Sequence, residues 1–296
     1  MSFKSIVKKI LPDNLVYFFA CKPWLSDEKY LKQKYKKIFR KDLNLENPQT
    51  FSEKLQWLKL YNRNPEYTKM VDKYEAKKYV ASIIGEEYIV PTYGVWNKFS
   101  EIDFESLPNQ FVLKTTHDSG GVVICKDKAK FDYKAAKKKL TKSLKRNYYW
   151  LGREWPYKNV KPRIIAEKYL EDKGTGELRD YKFFSSAGKV LYLFVVSDRQ
   201  LKNSDTKIDY FDLDYNRLIL KNGYEMSAKI PEKPLNFTKM LRLAETLSKN
   251  IQFVRVDFYE HNGNVYFGEL TFFDDSGFTP FEPEIWDYKL GEMIHL

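Results

Sequence analysis

Near its C-terminal end the chain reads FVRVDFYEHNGNVYFGELTF, residues 253–272. Asn262-Gly263 separates two runs in which apolar and polar residues alternate, the pattern of a hairpin. Asp257 lies on the first run and Glu269 on the second. Two carboxylates in a core are costly unless something positive sits between them. Such a pair is a usual way to hold Mg²⁺ against nucleotide phosphates. Arg255, two residues before Asp257, shares its strand face and could stabilise charge that develops in a transition state. A plain Arg255–Glu269 ion pair beside a solvated Asp257 is the competing account.

The chemistry sets a geometric condition. A two-residue turn at Asn262-Gly263 without a bulge pairs Asp257 with Gly268 and turns Glu269 to the opposite face. A three-residue loop, His261-Asn262-Gly263, instead pairs Asp257 with Phe267 and Arg255 with Glu269. The carboxylates are then diagonal neighbours on one face, roughly 7–8 Å apart at the backbone. The metal reading therefore predicts the odd-length loop.

Two further stretches suit a nucleotide. Lys114 precedes Thr115-Thr116-His117-Asp118-Ser119-Gly120-Gly121, a lysine at a strand end followed by hydroxyls and glycines. Glycine lets backbone N–H groups approach phosphate closely, and lysine neutralises its charge. This is not the P-loop pattern, and an ordinary glycine hairpin is the alternative. Glu167-Lys168-Tyr169-Leu170 ends an apolar strand, where backbone groups could meet a purine while Tyr169 and Leu170 cover its faces.

The composition narrows the partners. Lys and Arg number 51 against 40 Asp and Glu, a net charge of +11. That excess suits an anionic partner without choosing which. Two cysteines and three scattered histidines argue against a Cys/His zinc site. No apolar run has the length of a membrane span, and the N-terminus reads as no signal peptide. Phe3, Ile6, Val7 and Ile10, interleaved with Lys4, Lys8 and Lys9, could form a basic amphipathic helix against a membrane or against the protein's own domain.

The elements that position these residues read as follows. Residues 26–84 are mainly helical: Asp27–Phe39 after a Ser26 cap, then TFSEKLQWLKLY, then a helix over Thr68–Ile84. Residues 110–125 read as strand, turn, strand, and a basic helix covers Tyr133–Arg146. RIIAEKYL is a strand; hairpins turn at Ser186-Ala187-Gly188 and near Asp214-Tyr215-Asn216. Helices follow at Phe237–Asn250 and Pro283–Leu296, on either side of the carboxylate hairpin. The order indicates an α+β protein with antiparallel sheets.

Taken in order, Asp72-Lys73, Lys114 with its glycine loop, Glu167 through Leu170, Asp180-Tyr181-Lys182, Arg255, Asp257 and Glu269 resemble the ATP-grasp superfamily. More narrowly, the chain resembles the TupA-like ATP-grasp family of bacterial surface-polysaccharide gene clusters. The likeness runs from about Tyr30 to the end and includes FSEKLQWLKLYNRNPEYTKMVDKYEAKKYV, LPNQFVLKTTHDSGG, PRIIAEKYL and VRVDFYEHNGNVYFGELTFF. It implies an ATP-grasp fold, two α+β subdomains with antiparallel sheets clasping ATP, preceded by a helical N-terminal region. The corresponding segments are 1–67, 68–165 and 166–296.

The resemblance also implies roles. Lys73 and Lys114 contact ATP phosphates. Ser119, Gly120 and Gly121 form the loop over the β- and γ-phosphates, with His117 beside it. Glu167, Lys168, Tyr169 and Leu170 line the adenine pocket, and Lys182 supports the phosphates from the second subdomain. Asp257 and Glu269 hold Mg²⁺, and Arg255 stabilises the acyl phosphate. Thr271 stands where the superfamily usually has asparagine, a departure that weakens a second metal site; Asp274 or Asp275 could compensate. The implied reaction is ATP-dependent amide formation between an acidic sugar of a surface polysaccharide and an amino acid or amine, in the cytoplasm or at the inner membrane face. Arg153 and Arg199 are candidate substrate contacts, and no nucleic-acid partner is expected. Two rivals stand beside it. A polysaccharide kinase would use the same ATP site, and a glycosyltransferase would use the Asp212-Leu213-Asp214 string.

Overall fold

The computed structural model describes residue 17 and residues 19–171, 178–197 and 206–296. The amphipathic stretch Phe3–Ile10 and Arg199 lie outside the described residues. Helix α1 (Asp27–Phe39) begins where Ser26 accepts from the Lys29 N–H, and it ends on left-handed Arg40. Its first turn is acidic and its last basic, as the helix dipole favours. Helix α2 (Phe51–Tyr61) opens with a capping box in which Thr50 and Glu53 satisfy each other's backbone N–H.

The single helix expected over Thr68–Ile84 is broken into α3 (Tyr67–Val71) and α4 (Glu75–Ile84). Asp72 is the cause. Its backbone is extended, and its Oδ1 accepts from the Tyr74 N–H at 2.9 Å, a local bond that competes with helix continuation. The break lets the Lys73 N–H reach the Thr116 carbonyl at 3.0 Å.

Two antiparallel sheets follow. The first has the order β1-β4-β2-β3: Thr92–Trp96, Ile164–Lys168, Phe111–Thr115 and Val122–Cys125. Helix α5 (Tyr133–Leu144), capped by Asp132, buries Ala136 and Leu140 in a core with Phe111, Leu113 and Ile164. A helical turn, α6 (Tyr149–Gly152), precedes β4. The second sheet has six strands in the order β11-β10-β5-β6-β7-β8. They are Asn264–Thr271, Val254–His261, Asp180–Ser186, Lys189–Ser197, Lys207–Phe211 and Arg217–Leu218. β9 (Lys221–Asn222) pairs with β12 (Phe281–Glu282). The last helices are α7 (Phe237–Leu247) and α8 (Ile285–Glu292), both shorter than expected.

The expected α+β class is observed. The expected 165/166 boundary, however, falls inside β4, which is hydrogen-bonded on both sides within the first sheet. The helical region before residue 68 is no separate layer either. Phe51, Leu55 and Leu58 of α2 join the core beneath the six-stranded sheet, where the Phe51 ring meets Phe253 edge-on at 5.2 Å.

The carboxylate hairpin corrects one expectation. Its turn has two residues: His261 pairs with Asn264, and both Asn262 (φ 51°) and Gly263 (φ 73°) are left-handed. Phe258, not Asp257, pairs with Phe267, and Arg255 pairs with Thr271 rather than Glu269. Between these pairs the register shifts by one residue, a β-bulge at Gly268-Glu269 opposite Asp257. The bulge returns Glu269 to the face of Asp257. A side chain at Gly268 would crowd the Asp257 carbonyl, its Cβ lying 3.1 Å away.

Candidate functional site

A cleft of about 1150 Å³ lies between the two sheets. Lys73, Lys114, Ser119, Gly120, Glu167, Lys168, Tyr169 and Leu170 line it from one side. Lys182, Arg255, Asp257, Glu269 and Thr271 line it from the other. Of the expected site residues, His117 and Gly121 are off the wall. Both are buried. The His117 ring is buried, with Nε2 3.0 Å from the Arg146 carbonyl. Burial pushes its pKa down and favours the neutral imidazole.

The six-stranded sheet brings the charges together. Strands β5 and β10 place Lys182 directly opposite Asp257, and their side chains form an ion pair. Arg255 is buried and satisfies several groups at once. Its Nε donates to Asp257 Oδ1 at 2.7 Å. Its Nη2 donates to Asp257 Oδ2 at 2.7 Å, to Glu269 Oε1 at 2.8 Å and to Thr271 Oγ1 at 3.1 Å. Its Nη1 donates to Asp274. The competing ion pair Arg255–Glu269 is thus present, but Asp257 is buried within the same cluster rather than solvated.

The three carboxylates respond differently. Burial alone would raise all of them. Lys73, Lys182 and Arg255 outweigh burial at Glu269 and hold it well below the usual range. At Asp257 burial prevails over Arg255 and Lys182, so its pKa is raised. At Asp274 burial and the nearby Asp275 push it up to about 6, against the pull of Arg255. Among the described residues no group of three or more His, Cys, Asp or Glu side chains forms a self-contained metal cage. Mg²⁺ held against phosphates needs only one or two carboxylates, with phosphate and water completing the shell. Asp257 and Glu269 are oxygen donors that both reach Arg255 Nη2, so this donor set fits. Thr271 is already engaged, accepting from Arg255 and donating to Glu269 Oε1 at 3.2 Å.

The opposite wall is organised by Glu167. Its carboxylate sits between Lys77 at 2.6 Å and Lys114 at 2.7 Å. Burial opposes ionisation, but the two lysines win and hold its pKa at about 2. The ordinary value is 4.5. A depressed carboxyl stabilises the fold above its unfolded pKa, and that contribution is lost as pH falls through the folded one. The difference corresponds to on the order of 3 kcal/mol. In urea unfolding, the advantage of the wild type over Glu167→Gln should be full above about pH 5 and shrink toward pH 2. An advantage independent of pH would refute the assignment.

The glycine loop is seated by Asp118, whose carboxylate accepts from Thr115 and Ser143 hydroxyls and whose carbonyl accepts from Lys73 Nζ at 2.6 Å. Gly121 fits because it has no side chain; a Cβ there would overlap Thr115 Oγ1 and Ser143 Oγ. Gly120 (φ 87°) is left-handed and open to the cleft. Gly121→Ala should cost about 1–3 kcal/mol of stability by overpacking and weaken nucleotide binding. Denaturant midpoints and a fluorescent-nucleotide titration measure both.

Sequence reasoning missed several residues of this cleft. Lys77 carries no motif and reaches the site only through Glu167. Glu154, Tyr148 and Tyr157 also line the wall. Burial pushes Glu154 up to about 7 against the pull of Lys59, and its carboxylate accepts from the Ser276 hydroxyl. Asp275, Ser276 and Gly277 form a left-handed run at φ 43°, 56° and 60°. From α2, Gln56 Nε2 donates to the Gly277 carbonyl at 2.9 Å and buried Lys59 to the Ser276 carbonyl at 2.6 Å. The candidate Arg153 is fully buried and bonds the Cys21 and Lys22 carbonyls, so it takes no part in the cleft. Asp212 caps its own turn, accepting from the Asn216 N–H at 2.7 Å.

The family model described as TupA-like ATPgrasp matches residues 53–295. No curated protein matches the sequence. Similar solved structures include D-alanine–D-alanine ligases from Bacillus anthracis and Helicobacter pylori. The first is 17% identical with a TM-score of 0.37, covering 73% of this chain and 57% of that one. The second is 16% identical with a TM-score of 0.39, covering 81% and 66%. The ATP-grasp ligase PsnB, complexed with a minimal precursor, is 10% identical with a TM-score of 0.39, covering 75% and 60%. The chain therefore spans less than two thirds of each of these proteins.

Proposed function

Since the chain belongs to the TupA-like ATP-grasp family, we propose that it is an ATP-dependent carboxylate–amine ligase that forms an amide through an acyl phosphate. Its fold is the ATP-grasp fold, with two antiparallel sheets facing each other across the cleft. The observation that carries the reading is the convergence on one cleft of Lys73 and Lys114 from the first sheet's side and Lys182, Arg255, Asp257 and Glu269 from the second.

Bound Mg²⁺ and ATP would supply the phosphoryl group and neutralise its charge. The protein's groups do the rest. Lys168, Tyr169 and Leu170 form the wall at the purine end, where Val112 and Ile208 add apolar surface. Lys114, Lys73 and the Ser119-Gly120 backbone orient the phosphates. Asp257 and Glu269 hold the metal, and Lys182 and Arg255 stabilise negative charge that grows at the transferring phosphoryl group and the acyl carbon. The activated carboxylate belongs to an acidic sugar of a surface polysaccharide, and an amino acid or other amine attacks it. The basic net charge and the family's setting support that acceptor. We place the protein in the cytoplasm or at the inner membrane face, with no nucleic-acid partner. None of the described helices is long and apolar enough to cross a membrane.

The deciding assay combines the protein with ATP, Mg²⁺, an acidic oligosaccharide and candidate amines. Formation of ADP, phosphate and an amide supports the reading. ADP with a phosphosugar would establish a kinase instead. Sugar transfer that ignores ATP would refute both.

A further inference from the structure

Helix α5 carries Lys134, Lys137, Lys138, Lys139 and Lys142, and Lys145 and Arg146 follow it. No acidic residue occurs between Asp132 and Glu154. All seven basic side chains are exposed, while Ala136, Leu140 and Ser143 face inward. Among the described residues, Lys134, Lys137, Lys138, Lys139 and Lys145 form no ion pair. Helix α1 is also lysine-rich, but it carries Asp27 and Glu28 and pairs Lys32 with Glu28 and Lys36 with Asp42. In α5, Lys134, Lys137 and Lys138 instead repel one another at spacings of three and four, which weakens the helix. A polyanion laid along the face would relieve that repulsion.

Resting on the ligase reading above, we propose that the outer face of α5 is a landing surface for the acidic polymer whose carboxylates are activated in the cleft. The patch is continuous with the site, because Lys130, Ala135 and Lys139 also line the cleft. The helix is roughly 18 Å long, enough to engage several acidic sugars together. Its composition favours a hydrated polymer over a membrane or a nucleic acid. An interfacial helix needs a large apolar face. Here Tyr133 is the exposed large apolar residue of the helix, and its ring packs edge-on against Phe104 and Phe131, at 4.9 Å from each. Single-stranded nucleic acid favours aromatic platforms, and the outer face of α5 is lysine. Holding the polymer beside the cleft raises its local concentration, so the surface lowers KM for long acceptors and leaves kcat alone.

The test replaces Lys134, Lys137, Lys138 and Lys145 together by Gln, which keeps helix propensity and leaves the cleft-lining lysines intact. A second variant carries Glu at the same positions. Polygalacturonate, neutral dextran, phosphatidylglycerol vesicles and single-stranded DNA are titrated without ATP, from about 50 to 200 mM salt. The wild type should prefer polygalacturonate, with affinity falling as salt rises. The Gln variant should bind it on the order of tenfold more weakly with a shallower salt slope, and the Glu variant weaker still. Nucleotide binding should be unchanged in the Gln variant, and its melting temperature should be no lower than that of the wild type, because the lysine repulsion is gone. Equal polymer binding by wild type and both variants overturns the proposal, as does preference for vesicles or DNA. Amide formation on a short acidic acceptor is measured in parallel. If it is present while the polymer result is negative, only the surface is refuted. If it is absent while polymer binding depends on the lysines, the ligase reading fails instead.

Discussion

Asp257→Asn and Glu269→Gln each reduce ATP turnover on the order of a thousandfold, the several kcal/mol that a metal-held phosphoryl group contributes to a transition state. Both changes are isosteric, so they alter charge more than shape. The two should differ in the fold. Asp257 is buried between Arg255 and Lys182, and its amide leaves two cations with less counter-charge. Glu269 is 38% exposed at the side chain and borders the cleft. Asp257→Asn should therefore lower the melting temperature as well as activity, and Glu269→Gln mainly activity. Wild-type turnover in both variants would show that the chemistry lies elsewhere.

The second large effect concerns Arg255. Its guanidinium binds Asp257, Glu269 and Asp274 at once. Arg255→Gln leaves three crowded carboxylates without that cation. A loss of about 3–5 kcal/mol of stability follows from breaking one buried charge cluster. Turnover should fall by about 10²–10³-fold. Arg255→Lys separates the two effects, because lysine restores charge but cannot offer a planar fork to three partners. It should recover much of the stability and little of the turnover. Millimolar Mg²⁺ should raise the melting temperature of Arg255→Gln more than that of the wild type, since the freed carboxylates then attract the metal. Calorimetry with and without Mg²⁺ reads this directly, and equal shifts would remove the carboxylates from the metal site.

Most of the elements were legible because they rest on local rules. Ser26 and Asp132 announce helix starts, and Asn262-Gly263 announces a hairpin turn. The face on which Glu269 lands is set by a bulge and not by the length of the turn. A bulge at Gly268 depends on how Asp257 and Tyr259 pack across the strand, and glycine there has no left-handed backbone to betray it. The Asp72 break was hidden in a stretch with good helical periodicity, because a single Asx bond and the Thr116 carbonyl decide it. Glu154, Tyr148 and Tyr157 carried no motif at all. They reach the cleft only because α6 and the turn after it fold back against the Asp275–Gly277 run. Arg153 shows the reverse error, a charged residue in loop-like sequence that proves to be wholly interior.

The bulge also limits how related chains can change length. With a two-residue turn, an unbroken ladder would put Asp257 and Glu269 on opposite faces, and one extra residue corrects the count. Insertions or deletions between the two carboxylates should therefore come in twos. A single-residue change survives only if a bulge appears or vanishes with it. Deleting Gly268 is the allowed case, because it removes the bulge and leaves Asp257 directly opposite Glu269. Hairpin length in this lineage should follow parity rather than size.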